Sequence, residues 1–222
     1  MSFSFINIKN FFGKILDFVL PKDPDVLRFE TISNEEFVRK AEKADEPPIS
    51  GALSIFNYKD PLVRTAIRLL KYKGNKHSAS LLAETLYGEM IEELSDSMIF
   101  SGFEKPLLIP IPISNARRRE RGWNQCELLA EALVKIDGGQ TFEYAKNLLM
   151  KVKDAPSQTK KDRAERIKNI VGCFAVKNAR AVSGRNIILL DDVITTGSTM
   201  KEAKKTLLSA GARKVFCVSV AH

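Results

Sequence analysis

NIILLDDVITTGST, residues 186–199, decides the fold. Ile187 to Leu190 form a short, uninterrupted apolar run, the pattern of a strand buried on both faces. Two carboxylates, Asp191 and Asp192, stand where the run ends. A loop of hydroxyls around one glycine follows, Thr195-Thr196-Gly197-Ser198-Thr199. A helical pattern then covers Thr199 to Ala210, with Gly211 placed to end it. In open α/β sheets, ligands bind outside the carboxyl ends of the strands. Amides at a helix N-terminus attract anions, and Gly197 lets the backbone approach a phosphate closely. Two adjacent acids suit the vicinal hydroxyls of a ribose, each accepting one hydroxyl proton. The segment predicts a sugar site at one end and a phosphate site at the other. Thr199-Met200-Lys201-Glu202 also fits a capping box, which explains Thr199 and Glu202 by helix stability alone. That reading leaves both acids and residues 195–198 unexplained.

Working outward, the same alternation of strand and helix recurs. Pro61 to Tyr72 and His77 to Leu94 read as helices separated by the turn Lys73-Gly74-Asn75. Pro106 to Ile113 reads as a buried strand, followed by a basic loop and a helix from Asn124 to Ile136. Leu148 to Val152, Cys173 to Val176 and Lys214 to Val220 read as further strands, and Lys153 to Lys168 is strongly polar. Apolar strands alternating with helices predict an α/β fold, a mostly parallel sheet covered on both faces. Upstream, Ile8, Phe11, Phe12, Ile15, Leu16 and Val19 recur at helical spacing. Such an amphipathic helix either packs on the protein's own core or lies on a membrane, and its few cations favour the core. Residues 25–48 read as a polar connector closing at Pro47-Pro48. The expected division is an N-terminal extension, 1–50, and a main domain, 51–222.

The composition sets limits. With 222 residues, 44% hydrophobic and 28% charged, the chain is long enough to bury a sizeable core and is neither disordered nor collagen-like. No apolar run approaches the roughly 18 residues of a membrane span. A net charge of +8 points to anionic partners such as phosphate-bearing small molecules, nucleic acid or a membrane surface, or to a basic surface without a role. Cysteines fall only at 126, 173 and 217, with no C-x-x-C pair, and the histidines are His77 and His222. That usage argues against a disulfide framework and a zinc ribbon, and it fits a reducing cytosol, so a cytoplasmic location without zinc is expected.

LLDDVITTGST resembles the phosphoribosyl-pyrophosphate motif of type I phosphoribosyltransferases. More of the chain resembles one branch, the competence-associated ComF family, also called GntX-like. The matching stretches are Leu70-Lys71-Tyr72-Lys73-Gly74; Ile109-Pro110-Ile111-Pro112 leading to Arg121-Gly122-Trp123-Asn124-Gln125; Gln158 with Arg166 and Asn169; and Gly172-Cys173-Phe174. The resemblance implies a parallel sheet flanked by helices, with a small hood beside the carboxyl ends of its strands. It implies that Asp191 and Asp192 bind the ribose and that Thr195, Thr196, Gly197, Ser198 and Thr199 cradle the 5-phosphate. It further implies Mg²⁺ bridging pyrophosphate and ribose, held mainly by ligand and water. The loop after Ile113 takes the place of the pyrophosphate loop, and Lys153 to Lys168 that of the mobile loop. Arg117, Arg118, Arg119 and Arg121 offer the fork-shaped donors pyrophosphate needs, Arg117 and Arg121 foremost. Lys71, Gln158 and Arg166 are further candidates, although Lys71 and Tyr72 equally suit a helix cap. The family's Cys-rich, zinc-binding N-terminal segment is missing: Pro21-Lys22-Asp23-Pro24-Asp25-Val26 stands in its place.

The expected activity is binding of 5-phosphoribosyl 1-pyrophosphate with Mg²⁺ and transfer or hydrolysis of the phosphoribosyl group, a glycosyltransferase reaction of nucleotide metabolism with an unknown acceptor. Two rivals stand beside it. One is a non-enzymatic DNA-uptake factor binding single-stranded DNA weakly and salt-sensitively; the sparse aromatics speak against a stacking groove. The other is a regulator sensing the nucleotide precursor.

Overall fold

A computed structural model describes Phe29, residues 31–153 and residues 170–222. Its internal contacts divide the chain into two compact units, Met1–Ile32 and Ser33–His222. The expected N-terminal helix, most of the polar segment 153–168, and the candidates Gln158 and Arg166 lie outside the described residues. The second unit, Ser33–His222, carries the sheet and the candidate site.

Five parallel strands make the main sheet, in the order β1-β7-β6-β2-β3. They are β1 (Ala52–Phe56), β2 (Leu107–Pro110), β3 (Glu143–Tyr144), β6 (Asn186–Val193) and β7 (Lys214–Ala221). A separate antiparallel pair, β4 (Leu149–Lys151) and β5 (Phe174–Val176), forms the small hood. The helices are α1 (Asn34–Lys40), α2 (Pro61–Lys73), α3 (Lys76–Ser101), α4 (Asn115–Arg121), α5 (Gln125–Asp137), α6 (Ala179–Val182) and α7 (Ser198–Ser209).

The apolar run at the start of β6 makes it the centre of the sheet. Its register places Ile187 to Leu190 between Val215–Val218 of β7 and Leu107–Pro110 of β2. Period two sends Ile187 and Leu189 to one face, where they pack with Met200, Ala203 and Leu207 of α7. Ile188 and Leu190 point to the other face, covered by α5 with α3 against it. The chain leaving β2 travels outward to β3, whereas the chain leaving β6 travels to β7 on the opposite side. A crevice must open where those two connections diverge, at the carboxyl ends of β2 and β6. Asp191 and Asp192 stand there.

Local signals set the helices. Asp60 caps α2 by accepting from the Leu62 and Val63 amides at 2.8 and 2.9 Å, with Pro61 in the first turn. Val63, Ala66, Ile67 and Leu70 form its buried stripe, and Gly74 at φ 57° ends it. Residues 115–121, expected as a basic loop, are a helix. They carry no apolar stripe to signal one, but Ser114 caps the start and Gly122 the end. The strand after Pro106 is shorter than expected and stops at Pro110. The helix after the hydroxyl loop starts at Ser198 rather than Thr199, with Gly197 as its N-cap. Thr199 is therefore no cap, and Glu202 accepts instead from the Gly172 amide at 2.6 Å, so there is no capping box here.

Candidate functional site

At the end of β6, Asp191 is half-buried and Asp192 only 3% exposed. Asp191 Oδ1 accepts from the Asp192 amide at 2.9 Å and from the Cys126 thiol at 3.3 Å. Lys71 Nζ, from the last turn of α2, lies 2.5 Å from Asp192 Oδ2. Gln125 Nε2, in the first turn of α5, donates to Asp192 Oδ1 at 3.1 Å. Gln125 Oε1 in turn accepts from Arg121 at 3.3 Å, and the Arg121 guanidinium lies over the exposed ring of Tyr72 at 5.0 Å.

These contacts explain why the two stretches Leu70–Gly74 and Arg121–Gln125 belong together. The Trp123 indole donates to the Leu70 carbonyl at 3.1 Å, and its ring lies where a side chain at Gly74 would have to go, 3.1 Å from the Cβ position. Asn124 caps α5 through the Cys126 amide and donates to the Ile111 carbonyl at 3.0 Å, tying the helix to the end of β2.

Charge at the site is arranged around burial. Burial, then the charge of Asp192, pushes the Asp191 carboxyl up to about 7. Burial works to lower the pKa of Lys71, but Asp192 and Asp191 outweigh it and hold the ammonium above its ordinary value. Burial, reinforced by Asp191 and Asp192, pushes the Cys126 thiol well above its usual range, leaving it a neutral donor rather than a nucleophile.

Beyond the acids, Thr195 and Thr196 are exposed. The Thr196 and Ser198 hydroxyls share a 2.9 Å hydrogen bond. Gly197 has φ 74° and, lacking a side chain, gives α7 no side-chain cap of its own; the Ser198 amide in the first turn donates to the Thr196 hydroxyl at 3.4 Å. Beneath this loop lies Ile49: a Cβ on Gly197 would sit 2.7 Å from its Cγ1. Ile49 is buried in one cluster with Ile194 and Met200.

Of the sequence candidates, the fold brings Lys71, Asp191 and Asp192 into direct contact, joins Arg121 to them through Gln125, and places residues 195–199 next along the chain. The arginine run divides. Arg118 pairs with Glu127, while Arg117 and Arg119 are exposed and have no ion pair among the described residues.

The ligand atoms of Cys126, Asp191 and Asp192 lie within 4.8 Å of one another, among the described residues the one such group that could hold a metal. Lys71 already sits on Asp192 and the thiol is protonated, so this donor set does not fit a magnesium ion held by the protein itself. Among the described residues no helix is long and apolar enough to cross a membrane.

A family model described as "Phosphoribosyl transferase domain" matches residues 140–222. Competence protein ComFC of Bacillus subtilis is 29% identical over 158 residues, covering 71% of this chain and 58% of that protein. Competence protein F of Haemophilus influenzae is 34% identical over 112 residues, covering 49% and 46%. The DNA utilization protein YhgH of Salmonella typhimurium is 27% identical over 175 residues, covering 78% and 73%. The chain is thus similar to competence and DNA utilization proteins, and its residues 140–222 to a phosphoribosyl transferase domain. It spans about half the length of the first two relatives. Among solved structures, the glutamine phosphoribosylpyrophosphate amidotransferase from B. subtilis covers 68% of this chain and 30% of its own at 17% identity, with a TM-score of 0.39.

Sequence reasoning missed three participants. Cys126 entered only as one of three cysteines, although it directly follows the Arg121–Gln125 stretch. Gln125 was part of a matching stretch with no role attached. Ile49 sat beside a connector, and nothing local linked it to Gly197.

Proposed function

We propose that this protein binds 5-phosphoribosyl 1-pyrophosphate in the crevice between β2 and β6, and transfers or hydrolyses its phosphoribosyl group. One observation carries the reading: an acid pair at the end of the central strand runs directly into an exposed hydroxyl loop and a helix N-terminus at Gly197. Hydroxyls of a ribose are met by carboxylate acceptors, and its 5-phosphate by the amides of residues 198–200 and the Thr195, Thr196 and Ser198 hydroxyls. Arg121, held at the crevice by Gln125 and Tyr72, and the exposed Arg117 supply cations for pyrophosphate. Magnesium would come with the substrate, on its pyrophosphate oxygens, and offset their charge. Chemistry at ribose C1 then needs positioning and electrostatic stabilisation of an oxocarbenium-like state, and no covalent nucleophile. The neutral, buried Cys126 is consistent with that.

The test is calorimetric titration of the wild type and an Asp191→Asn, Asp192→Asn double variant with 5-phosphoribosyl 1-pyrophosphate, with and without magnesium. Magnesium-dependent binding by the wild type, weakened at least about 10-fold in the double variant, is expected, since the variant removes the charged acceptor that meets the ribose, a hydrogen bond of about 1.5–3 kcal/mol. Equal affinities would end the reading.

A second reading has its own observation. Arg117 and Arg119 are exposed on a short helix beside the same crevice, and the relatives are named for competence and DNA utilization. Single-stranded DNA phosphates would then meet the same cations that serve pyrophosphate.

A further inference from the structure

The acid pair is not symmetric. Asp192 has both oxygens engaged from outside its own strand: Oδ2 by Lys71 at 2.5 Å and Oδ1 by Gln125 at 3.1 Å. It is also almost fully buried. Asp191 is half-buried, and its contacts from the Asp192 amide and the Cys126 thiol both fall on Oδ1. We propose that the two acids divide the work: Asp191 presents Oδ2 to the sugar, while Asp192 is an internal anchor clamped by Lys71 and Gln125, which makes Lys71 a positioning residue of the pocket. This rests on the proposed function, and it replaces the simpler expectation that each acid accepts one ribose hydroxyl.

Three consequences give the clamp a purpose. Lys71 joins the end of α2 to β6, and Gln125 joins the start of α5 to the same carboxylate, so one side chain fixes three elements around the crevice. Gln125 also accepts from Arg121, so the clamp passes from the ribose end toward the pyrophosphate end of the pocket. Finally, an uncompensated pair of carboxylates would repel a polyanionic sugar phosphate. One ammonium held against them halves that charge before the ligand arrives.

The experiment has a ligand-free arm and a binding arm, both on the full chain. Variants are Lys71→Met, Lys71→Arg, Asp191→Asn, Asp192→Asn, and Lys71→Met combined with each Asn change. In urea unfolding without ligand, Lys71→Met should lower stability and adding Asp192→Asn should restore part of it, because the stranded carboxylate is removed. In titration with 5-phosphoribosyl 1-pyrophosphate and excess magnesium, Lys71→Met should weaken binding about 10- to 100-fold and Lys71→Arg should recover most of that. Lys71→Met with Asp192→Asn should bind no worse than the weaker single variant, whereas Lys71→Met with Asp191→Asn should lose the sum of the two. Equal, additive losses at both acids, or no rescue by Arg, would overturn the division. If the wild type binds no 5-phosphoribosyl 1-pyrophosphate while the unfolding cycle still shows coupling, the functional reading falls and the clamp survives as architecture. If the unfolding cycle shows no coupling, the clamp itself is wrong.

Discussion

The two walls of the crevice are built in opposite ways. On the β6–α7 side, Thr195 and Thr196 are exposed and the helix begins without a side-chain cap. On the β2–α5 side nearly every polar group is occupied: Asn124 by Ile111 and Cys126, Gln125 by Asp192 and Arg121, and Trp123 by Leu70. One wall is a set of donors open to solvent, and the other is a prebuilt interlock. Binding free energy is greatest where open donors stand on a support that does not move. The open wall gets its support from behind, through Ile49 against Gly197, and the closed wall from its own side chains.

Replacing Gly197 by Ala strikes the open wall hardest. The residue needs φ 74°, and the new Cβ would fall 2.7 Å from Ile49 Cγ1 and 2.9 Å from its Cδ1. Left-handed strain of about 1–2 kcal/mol adds to overpacking of about 1–3 kcal/mol, so a loss of about 2–5 kcal/mol is expected in urea unfolding. Ile49→Ala combined with Gly197→Ala should recover the overpacking part and leave the strain. A single variant as stable as wild type would show that the loop is not seated on Ile49.

Trp123→Ala is the corresponding blow to the closed wall. It removes a half-buried indole, its bond to Leu70 and its packing on Gly74, for an expected cost of about 2 kcal/mol. If the interlock orients Arg121 and Gln125, affinity for inorganic pyrophosphate should fall while affinity for ribose 5-phosphate changes little. Equal losses for both ligands would mean that the walls are not independent.

The two walls also differ in how far they could be read from the sequence. The open wall is contiguous: strand, acids, hydroxyl loop and helix follow one another in residues 186–209, so local pattern sufficed to within one residue at the helix start and three at the strand end. The closed wall is assembled from residues about 50 to 70 apart, and no local signal pairs Trp123 with Leu70 or Gln125 with Asp192. Only the strand order, with β2 beside β6, brings them together. The missed elements escaped for different reasons. The short edge strand β1 takes its meaning from a partner at the far end of the chain, the two-residue β3 is too brief to show a period, and α4 has caps but no apolar stripe.

A smaller effect comes from the acid where the two walls meet. In the folded protein Asp191 takes up its proton near pH 7, against 3.8 ordinarily. Between those values the folded state holds a proton that the unfolded state has lost, so this group's contribution to stability falls as pH rises from about 4 to about 7 and is flat above. Asp191→Asn should therefore gain on the wild type with rising pH, by about 1 kcal/mol at pH 8 once solvent screening is allowed for. Unfolding midpoints at pH 5 and 8 test this. A difference that grows in the opposite direction would mean that Asp191 is held charged by Lys71, which would weaken the case for Asp192 as that lysine's sole anchor.

The smallest expected effect tests whether a nucleic acid uses both walls or only the rim. Arg117 and Arg119 are exposed on α4, whereas Arg118 is committed to Glu127 and Arg121 to Gln125 and Tyr72. A DNA backbone would thus meet Arg117 and Arg119 before any other member of the run. Each phosphate they neutralise should release counterions, so the log of affinity for a labelled single-stranded oligonucleotide should fall with log salt by about 0.7 per contact. Arg117→Ala with Arg119→Ala should flatten that slope by one to two such contacts, roughly 0.7–1.4, and leave the fold intact, since neither side chain is buried. Saturating 5-phosphoribosyl 1-pyrophosphate with magnesium should displace the oligonucleotide if both ligands draw on Arg117 at the crevice. A slope that persists in the double variant, with no displacement, would put DNA on another face of this basic molecule and leave the crevice to the small anion alone.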